Sequence, residues 1–274
     1  MSDFEIREAV LIRYHGTDTR VTLPESIDEI GTGAFKSCAT LQTIILPEGV
    51  KVIAGDAFSS CEMLETVLLP EGLEVIDYRA FQNCTALKTV AFPKSLRHIG
   101  YYAFAHCKAL QTVTLPEGIE EVGNFAFLGC EALEALSLPD TLLHIGSAAF
   151  SNCFGLKTLT LPEGLTSLGN YAFSCCKSLK TLFLPTSLLS IGSSAFLACH
   201  ALTAVYIPEG VTEIRREAFA RCYSLSEVHL PKTLKVLDSS AFLFCDALHS
   251  VYLPRVCFSL AEELPYGIGI VPIE

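Results

Sequence analysis

The chain has 274 residues, half of them hydrophobic, and a formal net charge of −11. That acidic balance lacks the basic footprint that nonspecific nucleic-acid binding needs, and it disfavours docking on anionic lipid. No window approaches the ~18–20 uninterrupted apolar residues of a membrane span, so membrane insertion is not expected and the hydrophobicity is spread over short segments that each bury one side.

The N-terminal residues Met1 to Ile6 show neither a basic n-region nor an apolar h-region. This predicts a cytoplasmic location for the chain as written, or a cell-surface or secreted one if a leader has been removed. Residues 4–22 alternate apolar and polar around His15-Gly16-Thr17-Asp18. The alternation predicts a hairpin there, part of a cap over residues 1–22 that hides the open edge of the next unit.

Residues 23–253 form the main body. Proline recurs every 23 residues from Pro24 to Pro254, and Ala-Phe keeps the same period from Ala34-Phe35 to Ala241-Phe242. Cysteine does so from Cys38 to Cys245, with a leucine three places after each, and ten repeats hold register without an insertion. In Leu41–Pro47, Ile44 and Leu46 share a side, the period of 2 that marks a strand, and proline ends it because it has no N–H for a ladder. Ile30, Ala34 and Cys38 follow the i, i+4, i+8 spacing of a short helix face, with Phe35 beside them and Gly31 at its entry. Six of the ten repeats carry glycine at that entry. Each repeat is therefore expected to be a strand, a turn and a helical turn. Stacked at the ~4.8 Å inter-strand spacing, the units predict an α/β repeat solenoid of about ten coils, roughly 50 Å long, with a parallel sheet on one face and short helical turns on the other.

A second period runs through the residues after proline. Glu71-Gly72, Lys94-Ser95, Glu117-Gly118, Asp140-Thr141, Glu163-Gly164, Thr186-Ser187, Glu209-Gly210 and Lys232-Thr233 alternate, which indicates growth by copying a block of 46 residues. Residues 254–274 lack Ala-Phe and the repeat cysteine. They are expected to be a C-terminal cap or a junction, with Ile268, Ile270 and Val271 folded back or held in an oligomer contact.

The unit Pro-x-x-[Leu/Ile/Val]-x-x-[Ile/Val/Leu]-x-x-x-Ala-Phe-x-x-Cys-x-x-Leu-x-x-[Val/Ile/Leu]-x-Leu closely resembles the BspA-like leucine-rich repeat family over about residues 21–253. The resemblance implies a right-handed leucine-rich-repeat-like stack and a role in protein binding or adhesion, often at a bacterial surface. It brings no catalytic motif. The chain departs from the commoner leucine-rich repeats, whose turn asparagine is replaced here by Gly49, Gly72, Ser95 or their equivalents.

Candidate sites follow from the columns that stacking creates. The ten repeat cysteines read as a buried ladder of small hydrophobes with weak S–H donors, and free thiols in that number suit a reducing compartment. Cys175 falls in an outward column and Cys257 lies outside the ladder. A catalytic cysteine needs its base within hydrogen-bond reach, and His106–Cys107 or Cys199–His200, as neighbours on one turn, point in different directions. His98, Glu121 and His144 share a column on three successive coils and could in principle close on one Zn²⁺, although the column continues as a polar face with Ser167, Ser190 and Glu213. Lys51, Glu74, Arg97 and Glu120 alternate in sign and read as a surface ion ladder.

The strand face offers the strongest candidate. One outward column carries mostly threonine, including Thr158 and Thr181, and its neighbour ends in Phe183, Tyr206, His229 and Tyr252. Exposed aromatics on a sheet face have a hot-spot composition for protein or glycan contact, and Glu163, Glu209 and the other acids after proline bias such a surface toward basic partners. Tyr101, Tyr102, Phe125 and Tyr171 form a smaller cluster on the opposite side. The reading is a non-enzymatic protein-binding scaffold that needs no cofactor. A surface adhesin module from a larger secreted protein is the alternative, and a metal-dependent or hydrolytic enzyme a distant one.

Overall fold

The computed structural model describes residues 3–274. Repeats of 23 residues stack into a β-solenoid of about eleven turns. Most coils contribute a three-residue strand before the proline, such as Thr43–Ile45, and a two-residue strand after it, such as Val52–Ile53; before Pro93 the strand is reduced to isolated bridges at Thr89. Strands of each kind pair in parallel with their equivalents on neighbouring coils at the same repeat position, for example Thr158↔Thr181 and His144↔Ser167. The molecule therefore has two ladder faces. The prolines close a turn between them, in which the amide three residues on donates back to the proline carbonyl, as Val50 does to Pro47 at 3.1 Å.

The expected helical face is absent. The one helical segment among the described residues is the 3₁₀ stretch Arg255–Glu263 beyond the repeats. The Ala-Phe-x-x-Cys segment instead alternates two kinds of hydrogen bond. The Ala57 and Cys61 amides donate three residues back, to Ala54 and Phe58, while the Asp56, Phe58 and Ser60 amides donate to Tyr78, Ala80 and Gln82 on the next coil. That alternation requires left-handed backbone at Asp56 (φ 57°) and Ser60 (φ 60°), and the residues before Ala-Phe and before Cys repeat it on most other coils. A left-handed non-glycine residue costs roughly 1–2 kcal/mol, and here each is held by an inter-coil bond. An i, i+4 pattern of apolar residues cannot reveal this, because both conformations turn the same side chains inward.

Glycine at the entry to this segment also has another cause. A Cβ on Gly100, Gly146 or Gly192 would lie 2.6–2.7 Å from atoms of the preceding coil's backbone, so adjacent coils approach too closely there for a side chain.

The core is one continuous column. Ten phenylalanines from Phe35 to Phe242 are at most 1% exposed. Their rings stack coil on coil at centroid separations from 5.0 to 5.7 Å, as in the Phe35–Phe58, Phe127–Phe150 and Phe219–Phe242 pairs. Beside them runs the thiol ladder. Cys61 Sγ donates to Phe35 O at 3.0 Å, Cys107 to Phe81 O at 3.2 Å and Cys245 to Phe219 O at 3.1 Å, so each thiol ties its coil to the one before.

Both ends are closed by non-repeat structure. Phe4–Arg7 and Val10–Tyr14 pair antiparallel. The turn between them lies at Glu8-Ala9, both at positive φ, and not at His15–Asp18, where the alternation in sequence placed it. Val10–Tyr14 then pairs in parallel with Glu29–Ile30, and Tyr14 and Phe4 extend the ring stack at 5.1 and 5.5 Å. At the other end, Gly269–Ile273 folds back and pairs in parallel with Ser250–Pro254.

Phe150→Ala is expected to lose ~3–5 kcal/mol, the range for a buried phenylalanine, read from urea unfolding; a loss below about 1 kcal/mol would contradict its place in the stack. Burial pushes up the thiols of the ladder from Cys84 to Cys222, and a hydrogen bond with Cys38 and then burial push up Cys61. The folded state keeps these protons to higher pH than the unfolded chain does. Their contribution to stability is thus intact below the ordinary thiol value of about 8.5 and is lost as pH rises above it, by up to ~1.4 kcal/mol per group and pH unit. The melting temperature should fall steeply from about pH 9 upward, and less steeply in a Cys130→Ala, Cys153→Ala variant. At neutral pH a thiol reagent should label the half-exposed Cys38 and Cys175 first.

Candidate functional site

On the strand face the two outward columns stand where stacking predicts. Tyr206↔His229 and His229↔Tyr252 are register partners in one sheet formed by Ala204–Tyr206, Glu227–His229, Ser250–Pro254 and Gly269–Ile273. Their rings are stacked, with centroids 4.2 Å apart between Tyr206 and His229 and 4.0 Å between His229 and Tyr252. Glu227 anchors the group from the neighbouring column. Its carboxylate accepts the Tyr206 hydroxyl at 2.9 Å and lies 3.6 Å from His229 Nε2. The hydrogen bond to that carboxylate raises the Tyr206 phenol above its ordinary value. The folded-back tail puts Val271 beside Tyr252, which is half-buried, whereas Tyr206 remains 58% and Phe183 57% exposed.

Phe183 belongs to a different sheet. The strand face is interrupted: Thr112–Thr114 pairs with Ala135–Ser137, Thr158–Thr160 with Thr181–Phe183, and the four-stranded sheet begins only at Ala204. Within these groups a bond crosses from the residue before proline to the next coil, as in Leu115 N to Ser137 O, Leu161 N to Phe183 O and Ile207 N to His229 O. The equivalent bonds from Leu138 to Thr160 and from Leu184 to Tyr206 are missing. Burial follows the same rhythm. Leu115, Leu161 and Ile207 are at most 5% exposed, whereas Leu138 and Leu184 are only partly buried.

The 46-residue period accounts for the interruption in the last three blocks. The Ser or Thr of every second coil clips that coil to the one before: Thr141 Oγ1 donates to Ile119 O, Ser187 Oγ to Leu165 O and Thr233 Oγ1 to Val211 O, at 2.7–3.0 Å. Thr141 and Thr233 also accept from the Gly118 and Gly210 amides. Glu163 accepts from the Thr186 amide and hydroxyl, and Glu209 from the Lys232 amide. These carboxylates are engaged by the stack. In these three blocks the clipped coils pair on the strand face, and the sheet opens on either side of the Thr158–Thr160 and Thr181–Phe183 pair; the Ser95 Oγ clip to Leu73 O, at 2.6 Å, joins coils whose strands share only the Thr66↔Thr89 bridge.

One opening, between Phe183 and Tyr206, is a cavity of about 370 Å³ lined also by Lys180, Thr181, Leu184 and Thr203. It adjoins a second, of about 410 Å³, lined by Lys157, Lys177, Lys180 and Thr158. Sequence reasoning named Phe183, Thr158 and Thr181 here but missed the lysines, Leu184 and Glu227. The alternation after proline carried the signal, since it marks where coils separate.

The other candidates are arranged less productively. His98, Glu121 and His144 occupy successive rungs of the second face, and His144 Nδ1 lies 3.4 Å from Ser167 Oγ. Side chains on neighbouring rungs stand side by side about 4.8 Å apart, and among the described residues no three His, Cys, Asp or Glu side chains converge as metal ligands. Cys107 donates its thiol to a backbone carbonyl inside the core, and His106 takes a left-handed position outside it. His200 stacks on Tyr223 at 4.8 Å. No ion pair joins Lys51, Glu74, Arg97 and Glu120 among the described residues; the Arg97 guanidinium donates to the carbonyls of Lys94 and Leu96. In the smaller aromatic cluster Tyr102 stacks on Phe125 at 4.6 Å with Tyr78 edge-on to it, and Tyr171 lies two coils further along.

Residues 14–134 and 120–249 match the BspA type leucine-rich repeat region, in six copies. The chain belongs to that family. Solved structures are similar to it in fold. A leucine-rich repeat protein from Bacteroides ovatus is 23% identical, with all of both chains covered and a TM-score of 0.51. The T. pallidum leucine-rich repeat protein is 35% identical over 62% of this chain and 82% of its own, with a TM-score of 0.59. The pneumococcal vaccine antigen PcpA is 18% identical over 93% of this chain and 79% of its own, also with a TM-score of 0.59. No curated protein matches the chain. No helix among the described residues is long and apolar enough to cross a membrane.

Thr233→Val removes two hydrogen bonds of one clip and should cost ~1–3 kcal/mol, read from chemical unfolding. An unchanged midpoint would mean that the clip does not hold its pair together.

Proposed function

We propose that this BspA-type solenoid is a non-enzymatic scaffold that captures a protein partner on the C-terminal part of its strand face. The observation that carries this reading is the pre-stacked array Tyr206–His229–Tyr252 on consecutive rungs of one unbroken sheet. Interface hot spots are enriched in tyrosine and favour groups already ordered before contact, because association then costs less side-chain entropy. The array is held from behind by the ladder and from the side by Glu227. Its Tyr206 end is open to solvent, with Phe183 next to it on the adjoining coil pair. A surface of this kind recognises shape and apolar area. It brings together no nucleophile, base and electrophilic pocket of the sort an enzyme needs.

The test is partner capture by the intact protein, wild type against a Tyr206→Ala, Tyr252→Ala double variant. At least a tenfold loss of captured partner is expected, with an unchanged melting temperature, since Tyr206 is exposed and Tyr252 lies only half-buried at the surface. A partner retained at the wild-type level by the double variant would place the binding surface elsewhere.

A further inference from the structure

Three features meet at the opening between Phe183 and Tyr206. First, its backbone ladder is incomplete. Leu184 N–H makes no bond to Tyr206 O, whereas the same bond closes at Leu115, Leu161 and Ile207. Second, it gives access to apolar surface. Leu184 is partly exposed at the floor, and Phe183 and Tyr206 stand as walls with more than half of each ring free. Third, its entrance is cationic in an acidic protein. Lys177 and Lys180 form no ion pair among the described residues, Lys157 pairs with Glu134 at 3.2 Å, and the Lys177 ammonium lies 4.7 Å from the Phe154 ring. Burial and then the Lys177 charge hold the His200 imidazole below its ordinary value.

We propose that this slot takes an extended acidic peptide segment of a protein partner, with carboxylates on Lys177 and Lys180 and one aliphatic or aromatic side chain between Phe183 and Tyr206 over Leu184. The proposal rests on the strand-face reading above and adds the partner's charge and conformation. An extended peptide supplies what the slot lacks: a main-chain carbonyl for Leu184 N–H, an apolar group for the floor and negative charge for the entrance. Pairing to an interrupted ladder with side-chain pockets alongside is an established way for sheets to hold peptides. Charge complementarity adds selection against basic sequences. An anionic glycan would satisfy the lysines but would leave Leu184 without an apolar partner.

The experiment is selection of random twelve-residue peptides displayed on phage against the intact protein. Affinities of the enriched peptides are then measured by fluorescence anisotropy on wild type and on Lys177→Glu, Lys180→Glu; Phe183→Ala; and Tyr252→Ala variants. All four positions lie at the surface, and circular dichroism checks each fold. Enriched peptides should be net acidic with at least one large apolar residue, and should lose at least tenfold in affinity on the lysine and Phe183 variants. Their affinity should fall further in high salt. Basic peptides that are lost on the Tyr252 variant but not on the lysine variant would overturn the slot and leave the strand-face reading in place. Peptides indifferent to all the variants would overturn both. Binding of heparin without enrichment of acidic peptides would overturn the peptide in favour of an anionic glycan.

Discussion

Most amides that point along the solenoid axis find a carbonyl on a neighbouring coil, and the constancy of the repeat length follows from that pairing. The Phe58, Phe81 and Phe104 amides each donate to the residue 22 positions further on, at 2.7 Å. One inserted residue would put the donors of that coil opposite the wrong atoms of its neighbour, and within a strand would turn the side chains beyond it to the other face. The unbroken 23-residue interval is the sequence record of this constraint. The rings, the thiols and the two ladders share one register because the backbone imposes it on all of them.

Much of this was legible beforehand, and the part that was not has a physical reason. Column membership could be read directly, so Thr158, Thr181, Phe183, Tyr206, His229 and Tyr252 were placed together from their spacing alone. Conformation within a column could not. Asp56, Ser60 and His106 have no residue type in common, yet all are left-handed, because the inter-coil bond and not the side chain selects that geometry. The helical expectation failed at that point. In the same way a column of alternating charge, Lys51 to Glu120, has the right spacing for ion pairs, while pairing is set by side-chain reach and by competing carbonyls such as those that hold Arg97.

The candidate site depends on a defect in the periodicity. A uniform ladder would present a flat strip with its backbone satisfied and its leucines covered. In the last three blocks the Ser/Thr clips join coils in twos, and the sheet parts between the strands of Phe183 and Tyr206, where Leu184 emerges. The aromatic array then begins on the far side of that opening. Exposure of apolar surface and regularity of the stack are thus in opposition at this candidate site.

The clip also constrains how such a molecule can change its length. Lengthening by two coils repeats the alternation of Glu-Gly and Ser/Thr turns and so repeats a clip. Lengthening by one sets two like turns side by side, as at Glu48-Gly49 and Glu71-Gly72, where Thr43–Ile45 and Thr66–Leu68 pair without a hydroxyl clip. The number of clips is therefore set by the number of two-coil blocks and not by the length of the stack.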